Sequence, residues 1–269
     1  WDDNLRELQN PPPKWWTIAF WLSVVWWIGY GVLYPMIPTG QSFTKGVMGW
    51  TQINEYKEGL AEIEAVRAPY ESRIAGMSAK DILADDELRA YTQASSKVLF
   101  GDFCSACHGA GGAGGPNYPV LADDDWLYGG SVETIVQTIA SGRKGIMPSH
   151  GKVLSAEQVD QLAAYVVGLS EGQDDEAGKQ LYMSSGCLAC HGMDGKGMQA
   201  LGSANLTDAV WRFNEPDLLA SARYTITHGV NDANDPKTRE AVMPAFGERL
   251  SEDQIKKLAV YVHTLGGGQ

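Results

Sequence analysis

The chain has 269 residues and a net charge of −12, long enough for two small domains plus a further segment and too acidic to suit nucleic acid. Such a surface fits encounter with a basic protein, where charge acts mainly on the rate. All four cysteines, Cys104, Cys107, Cys187 and Cys190, fall within two short motifs, so none is left for a structural disulfide. The first residue is tryptophan rather than methionine, which points to a processed or shortened start.

Residues 15–36 read WWTIAFWLSVVWWIGYGVLYPM without a charge. A helix rising ~1.5 Å per residue crosses a ~30 Å hydrocarbon layer in about 20 residues, so the stretch is long enough to span. Trp15, Trp16, Tyr30 and Tyr34 stand where an interfacial aromatic belt would. PPPK precedes the stretch, and Pro35 and Pro38 limit its far end. A signal peptide would have a shorter apolar core and an A-x-A site, and the charge-free length argues against a buried core helix. The sequence therefore predicts a transmembrane helix over 15–36. Residues 1–14 precede it, and 37–90 form a helical linker or collar in which TQINEYKEGLAEIEAVR (51–67) is the clearest helix.

Beyond residue 90 the chain repeats itself. CSACH at 104–108 matches CLACH at 187–191, Trp126 matches Trp211, and Gly142 matches Gly229. IMP at 146–148 matches VMP at 242–244, and LSAEQVDQLAAYVVGL (154–169) matches LSEDQIKKLAVYVHTL (250–265). The offset grows mainly after Gly229, where NDANDPKTRE reads as an inserted surface loop. Ser155 with Gln158, and Ser251 with Gln254, form capping boxes that open amphipathic helices. The segments before each motif also read as helices, so 91–171 and 172–269 are expected to be two small, mostly α domains. Units of this size commonly need a bound group to complete their stability.

Three chemistries compete for C-x-x-C-H. A zinc site needs four ligands, and each repeat offers one cysteine pair with a histidine poorly placed for a third tetrahedral bond. A redox dithiol calls for a βαβ setting, which is absent from the pattern. C-x-x-C-H is the signature of c-type haem attachment: two cysteines form thioethers to one porphyrin, and the adjacent histidine lies under the iron. Cys104, Cys107, Cys187 and Cys190 are the expected attachment points of two covalently bound haems c, with His108 and His191 as axial ligands.

A six-coordinate haem takes a second axial ligand, and methionine raises its potential. Met36, Met48 and Met77 lie in or near the anchor and linker, and Met183, Met193 and Met198 are too close to the second motif to reach its far side. Met147 and Met243 remain, at equivalent repeat positions and each followed by proline. His150, His228 and His263 do not recur between the repeats, which favours structural roles for them. Trp126, Trp211, Arg143 and Arg223 are candidate neighbours of the haem edge and propionates. GAGGAGG at 109–115 lacks the Lys-Ser/Thr of a phosphate loop and is read as a loop over the haem edge. With both axial positions filled, the expected chemistry is one-electron transfer without a catalytic site in this chain.

The apolar anchor, helical collar and two C-x-x-C-H/Met-Pro units, together with NPPPKWW, GVMGWTQ and DDDWLYGG, resemble the CcoP (FixP) family of cbb3-type cytochrome c oxidase subunits. The resemblance covers essentially the whole chain. It implies an all-α architecture with one transmembrane helix and two tandem cytochrome c-like domains, serving a proton-translocating terminal oxidase of the bacterial inner membrane. It further implies periplasmic haem domains, a cytoplasmic 1–14, and partners in the catalytic subunit CcoN, the monohaem subunit CcoO, a soluble cytochrome c donor and membrane lipid. A dihaem carrier serving another dehydrogenase or oxidase is the alternative, and a dihaem peroxidase would need one iron without a sixth ligand. Spacing pairs His108 with Met147 and His191 with Met243, whereas the family implies the crossed pairing. Sequence separation leaves both open.

Overall fold

The computed structural model describes residues 10–213, 215 and 217–266, so most of the segment 1–14 lies outside the described residues. The chain divides at Pro69 into two compact units. That proline lies inside a helix, where it removes a backbone donor.

In the first unit, α1 runs Lys14–Leu33, and none of its side chains is buried. Among the described residues it is the one helix long and apolar enough to cross a membrane. It stops at Leu33, short of the expected Met36, because Tyr34 precedes Pro35 and is driven to extended backbone at φ −116°, ψ 159°. Trp26, Tyr30 and Tyr34 stack along its last turns, with ring centroids 5.3 and 4.8 Å apart. The collar helix α2 spans Gln52–Ile74 and enters the second unit.

The second unit is helical: α3 (Ala79–Ala84), α4 (Asp86–Phe103), α5 (Ser105–His108), α6 (Val132–Ser141), α7 (Ala156–Ser170), α8 (Glu176–Ser184), α9 (Leu188–His191), α10 (Leu218–His228) and α11 (Glu252–His263). Both predicted capping boxes form, with Ser155 and Ser251 each accepting from the backbone of the glutamine three residues on. The only named strands among the described residues are β1 (Arg143–Lys144) and β2 (Val242–Met243), paired antiparallel with Arg143 opposite Met243.

The repeats 91–171 and 172–269 do not each close their own core; they exchange their last helices. One core joins Ile82, Leu88, Phe100, Ile135 and Ile139 of the first repeat and its approach to Ile255, Leu258 and Val262 of α11. The other joins Tyr182, Ala222 and Ile226 of the second repeat to Val159, Leu162, Ala163 and Tyr165 of α7. The backbone closes each exchange in the same way. Phe246 and Gly247 N–H donate to the carbonyls of Ile139 and Ala140, both at 3.0 Å. His150 and Gly151 N–H donate to those of Ile226 and Thr227, again at 3.0 Å. Each Met-Pro loop is thereby docked on the end of a helix from the other repeat.

Candidate haem-binding sites

Each C-x-x-C-H motif is a single helical turn begun by its first cysteine. His108 N–H donates to the Cys104 carbonyl at 2.9 Å and His191 N–H to that of Cys187 at 3.0 Å. Residues at i, i+3 and i+4 share one helix face, so both thiols and the imidazole present together. The turn ends on Gly109 and Gly192, at φ 73° and 79°, and a side chain at Gly109 would strike the Gly114 carbonyl. No disulfide joins any of the four cysteines.

The imidazoles are held alike. His108 Nδ1 lies 3.2 Å from the Pro119 carbonyl oxygen and His191 Nδ1 2.9 Å from that of Ala204. A carbonyl only accepts, so Nδ1 carries the proton and Nε2 keeps its lone pair for a metal. Burial, chiefly, lowers the pKa of both histidines, which favours this neutral form. Burial also pushes the Cys104 thiol up to about 11 and raises Cys187. A cavity of about 420 Å³ opens at Cys190, lined also by Leu201, Tyr128 and Gly142–Ile146. Paired cysteines with an oriented neutral imidazole at both motifs, and a cavity beside the second, fit a c-type haem.

The two candidate methionines fall on opposite sides of the helix exchange. Met243 packs on the core that holds Cys104, and Met147 on the core that holds Cys187. Trp126 and Trp211 pack on the first and second cores in turn. Arg143 lies 4.6 Å from the Tyr128 ring centroid and lines the cavity at Cys190. Arg223 instead pairs with Asp160. His228 pairs with Asp235 at 3.0 Å, while His150 acts electrostatically on His191 and its buried Nδ1 has no hydrogen-bond partner among the described residues.

Residues that the sequence reading passed over also reach these sites. Arg212 of the second repeat crosses to the first, its Nε donating to the Asn117 carbonyl at 3.3 Å, and its charge is felt at His108. No carboxylate pairs with it among the described residues. Tyr128 packs so closely on Gly202 that no side chain fits there. Both follow the repeated tryptophans, and that position in the repeat was the available signal. The segment 231–240 is a loop with half of its residues exposed, as expected, and its inner residues are also tied to the chain around Met147: Asn231 Nδ2 donates to the Gly145 carbonyl at 2.6 Å and Asp232 accepts from Ser149 N–H at 2.7 Å.

Comparison with known proteins agrees with this arrangement. Residues 1–41 match the N-terminal domain of cytochrome oxidase-cbb3, FixP. Residues 92–166 match cytochrome c oxidase, cbb3-type, subunit III, and 176–266 match cytochrome c. The cbb3-type cytochrome c oxidase subunit FixP of Azorhizobium caulinodans is 39% identical, over 99% of this chain and 92% of its own length. FixP of Bradyrhizobium sp. (strain ORS 278) is 40% identical, over 99% and 93%. The subunit CcoP of Azospirillum brasilense is 38% identical, over 99% and 94%. An apolar helix followed by two cytochrome c units, matched end to end by these relatives, makes the chain a member of the FixP/CcoP family of cbb3-type cytochrome c oxidase subunits.

Proposed function

We propose that the chain holds two covalently attached haems, on Cys104 and Cys107 and on Cys187 and Cys190, and conducts electrons towards the oxygen-reducing subunit of a cbb3-type oxidase. His108 and Met243 would hold the iron of the first haem, and His191 and Met147 that of the second. The observation that carries this pairing is the exchange of helices, by which Met243 shares a core with Cys104 and Met147 with Cys187.

When bound, a His/Met haem supplies reversible one-electron chemistry at a potential raised by the thioether. The protein fixes the terms of that exchange. Pro119 and Ala204 carbonyls orient the two imidazoles and increase their basicity. The exchanged helices bury the cores beside both motifs, and the two Met-Pro loops would supply a thioether to each haem. A haem held by both histidine and methionine would have no position left for substrate, so electron transfer would be the work of this chain. α1 anchors it in the inner membrane with 70–269 on the periplasmic side. The assembly contains CcoN and CcoO, and a soluble cytochrome c delivers the electrons.

Purification of the full chain in mild detergent tests the reading. The expected result is co-purification with b-haem and copper, oxygen consumption, and two low-spin His/Met spectra. Recovery of the intact chain alone would favour a free dihaem carrier, and a five-coordinate haem would favour a peroxidase.

A further inference from the structure

The segment after Gly229 has no counterpart in the first repeat and is mostly polar; Ala233, Asn234, Pro236, Lys237 and Glu240 face solvent, while Asn231, Asp232, Thr238 and Arg239 turn inward. It folds back on α10: Arg239 N–H donates to the Gly229 carbonyl at 3.1 Å, and its guanidinium bonds Thr225 and pairs with Glu215. Tyr224 Oη donates to the Lys237 carbonyl, and Asp235 takes His228. Asp232 is 7% exposed, although no cation pairs with it among the described residues. Its oxygens are spent on N–H donors, Asn234 from its own turn and Ser149 from the first repeat.

Those contacts converge on the two methionine strands. Val230 and Met147 exchange both backbone hydrogen bonds at 2.9 Å. Asp232 Oδ2 accepts from Ser149 N–H, two residues beyond Met147, at 2.7 Å. Asn231 Nδ2 donates to two carbonyls, Gly145 at 2.6 Å and Ala241 at 3.0 Å. One of these stands two residues before Met147 and the other two residues before Met243. Asn231 holds this place at φ 52°, a left-handed conformation that asparagine tolerates better than most residues.

We propose that residues 230–240 are a positioning brace for the axial methionines: Asp232 holds the Met147 loop, and Asn231 ties that loop to the Met243 strand. The inference rests on reading Met147 and Met243 as axial ligands. A thioether is a weak ligand, and the fraction of time its loop is in place sets how readily another ligand takes the iron. Loosening the loop by one buried hydrogen bond to a charged group shifts that fraction by roughly tenfold, equivalent to about 1.4 kcal/mol.

The test uses the full chain carrying both haems, in detergent and in the ferric state, with imidazole as the competing ligand. The red charge-transfer band of the methionine–iron bond is followed in parallel. Asp232→Ala is expected to weaken that band for one haem and to raise imidazole affinity at that haem by roughly tenfold. Asn231→Ala is expected to loosen both haems, and Asp232→Asn, which keeps an acceptor for Ser149, to behave nearly as the parent. A native band and native imidazole affinity in Asp232→Ala, whatever its melting temperature, would overturn the proposal. If Asp232→Ala yields no holo-protein, Asn231→Ala decides, and native behaviour there overturns it equally. Met147→Leu separates the premises: if it leaves band and imidazole binding unchanged, the ligand assignment fails rather than the brace.

Discussion

Gly142 and Gly229 end α6 and α10 at φ 70° and 69°, and each sits directly under a methionine of the other repeat. A Cβ at Gly142 would meet the Met243 carbonyl, and one at Gly229 the Met147 carbonyl. Alanine at either position costs about 1–2 kcal/mol for the left-handed backbone alone, before any displacement of the strand above it. Gly142→Ala should therefore lower the melting temperature and disturb the haem on Cys104, whose methionine is Met243, and Gly229→Ala the haem on Cys187, whose methionine is Met147. Visible spectra of the two variants check this, and disturbance of the other haem in place of the one named would contradict it. Asp232 adds a pH dependence. Its backbone and side-chain hydrogen bonds, those from Ser149 first, hold the carboxyl far below its usual range. A depressed folded-state pKa means that the unfolded chain binds the proton more readily. The contribution of Asp232 is thus complete above the ordinary carboxylate pKa, near 4, and fades as pH falls below it. Acid unfolding followed by circular dichroism should show native and Asp232→Asn curves converging as pH drops through that window. A gap that widens with acid would refute the assignment.

At the scale of elements, the motifs, the capping boxes and the repeat were legible because each depends on local spacing. The exchange of α7 and α11 was not. Leu162, Tyr165 and Val166 on one helix and Leu258, Tyr261 and Val262 on the other offer the same apolar face, so either helix suits either core by pattern. What separates them is tertiary. Lys257 on α11 meets both oxygens of Glu71 at 2.7 and 2.9 Å, and a collar residue beside the first core has no local signature for such a partner. The insertion was legible as a surface loop, but its inward contacts were not: polar residues signal solvent by composition, whereas Asn231 and Asp232 spend their polar atoms on backbone elsewhere in the chain. The caps give a quantitative check. Ser155→Ala and Ser251→Ala each remove one N-cap bond, at a cost of about 1 kcal/mol. Because the helices are exchanged, Ser155→Ala should loosen the haem on Cys187 and Ser251→Ala the haem on Cys104. Hydrogen exchange of α8 and α4 amides reads out the two effects separately.

For the whole molecule, exchange converts two marginal domains into one interdependent unit. A repeat of this size buries too little surface for comfort, and here each also lacks one wall until the other repeat supplies it. Loss of α7 from the second core removes Val159, Leu162, Ala163 and Tyr165 together. At roughly 2–5 kcal/mol for each of the three large side chains, that is comparable with the 5–15 kcal/mol by which a whole domain is stable. Residues 172–269 expressed alone should therefore fail to fold cooperatively and should not bind haem stably. A cut in the exposed turn 171–174, by contrast, leaves every core contact intact. The two pieces of a chain nicked there should remain associated through gel filtration and separate only when the unit unfolds. The haem on Cys187 would then stay with a fragment whose sixth ligand lies on the other piece. Cooperative melting of isolated 172–269 with a native methionine–iron band would show that the second repeat can close on its own Met243, and the exchanged architecture would lose its energetic basis.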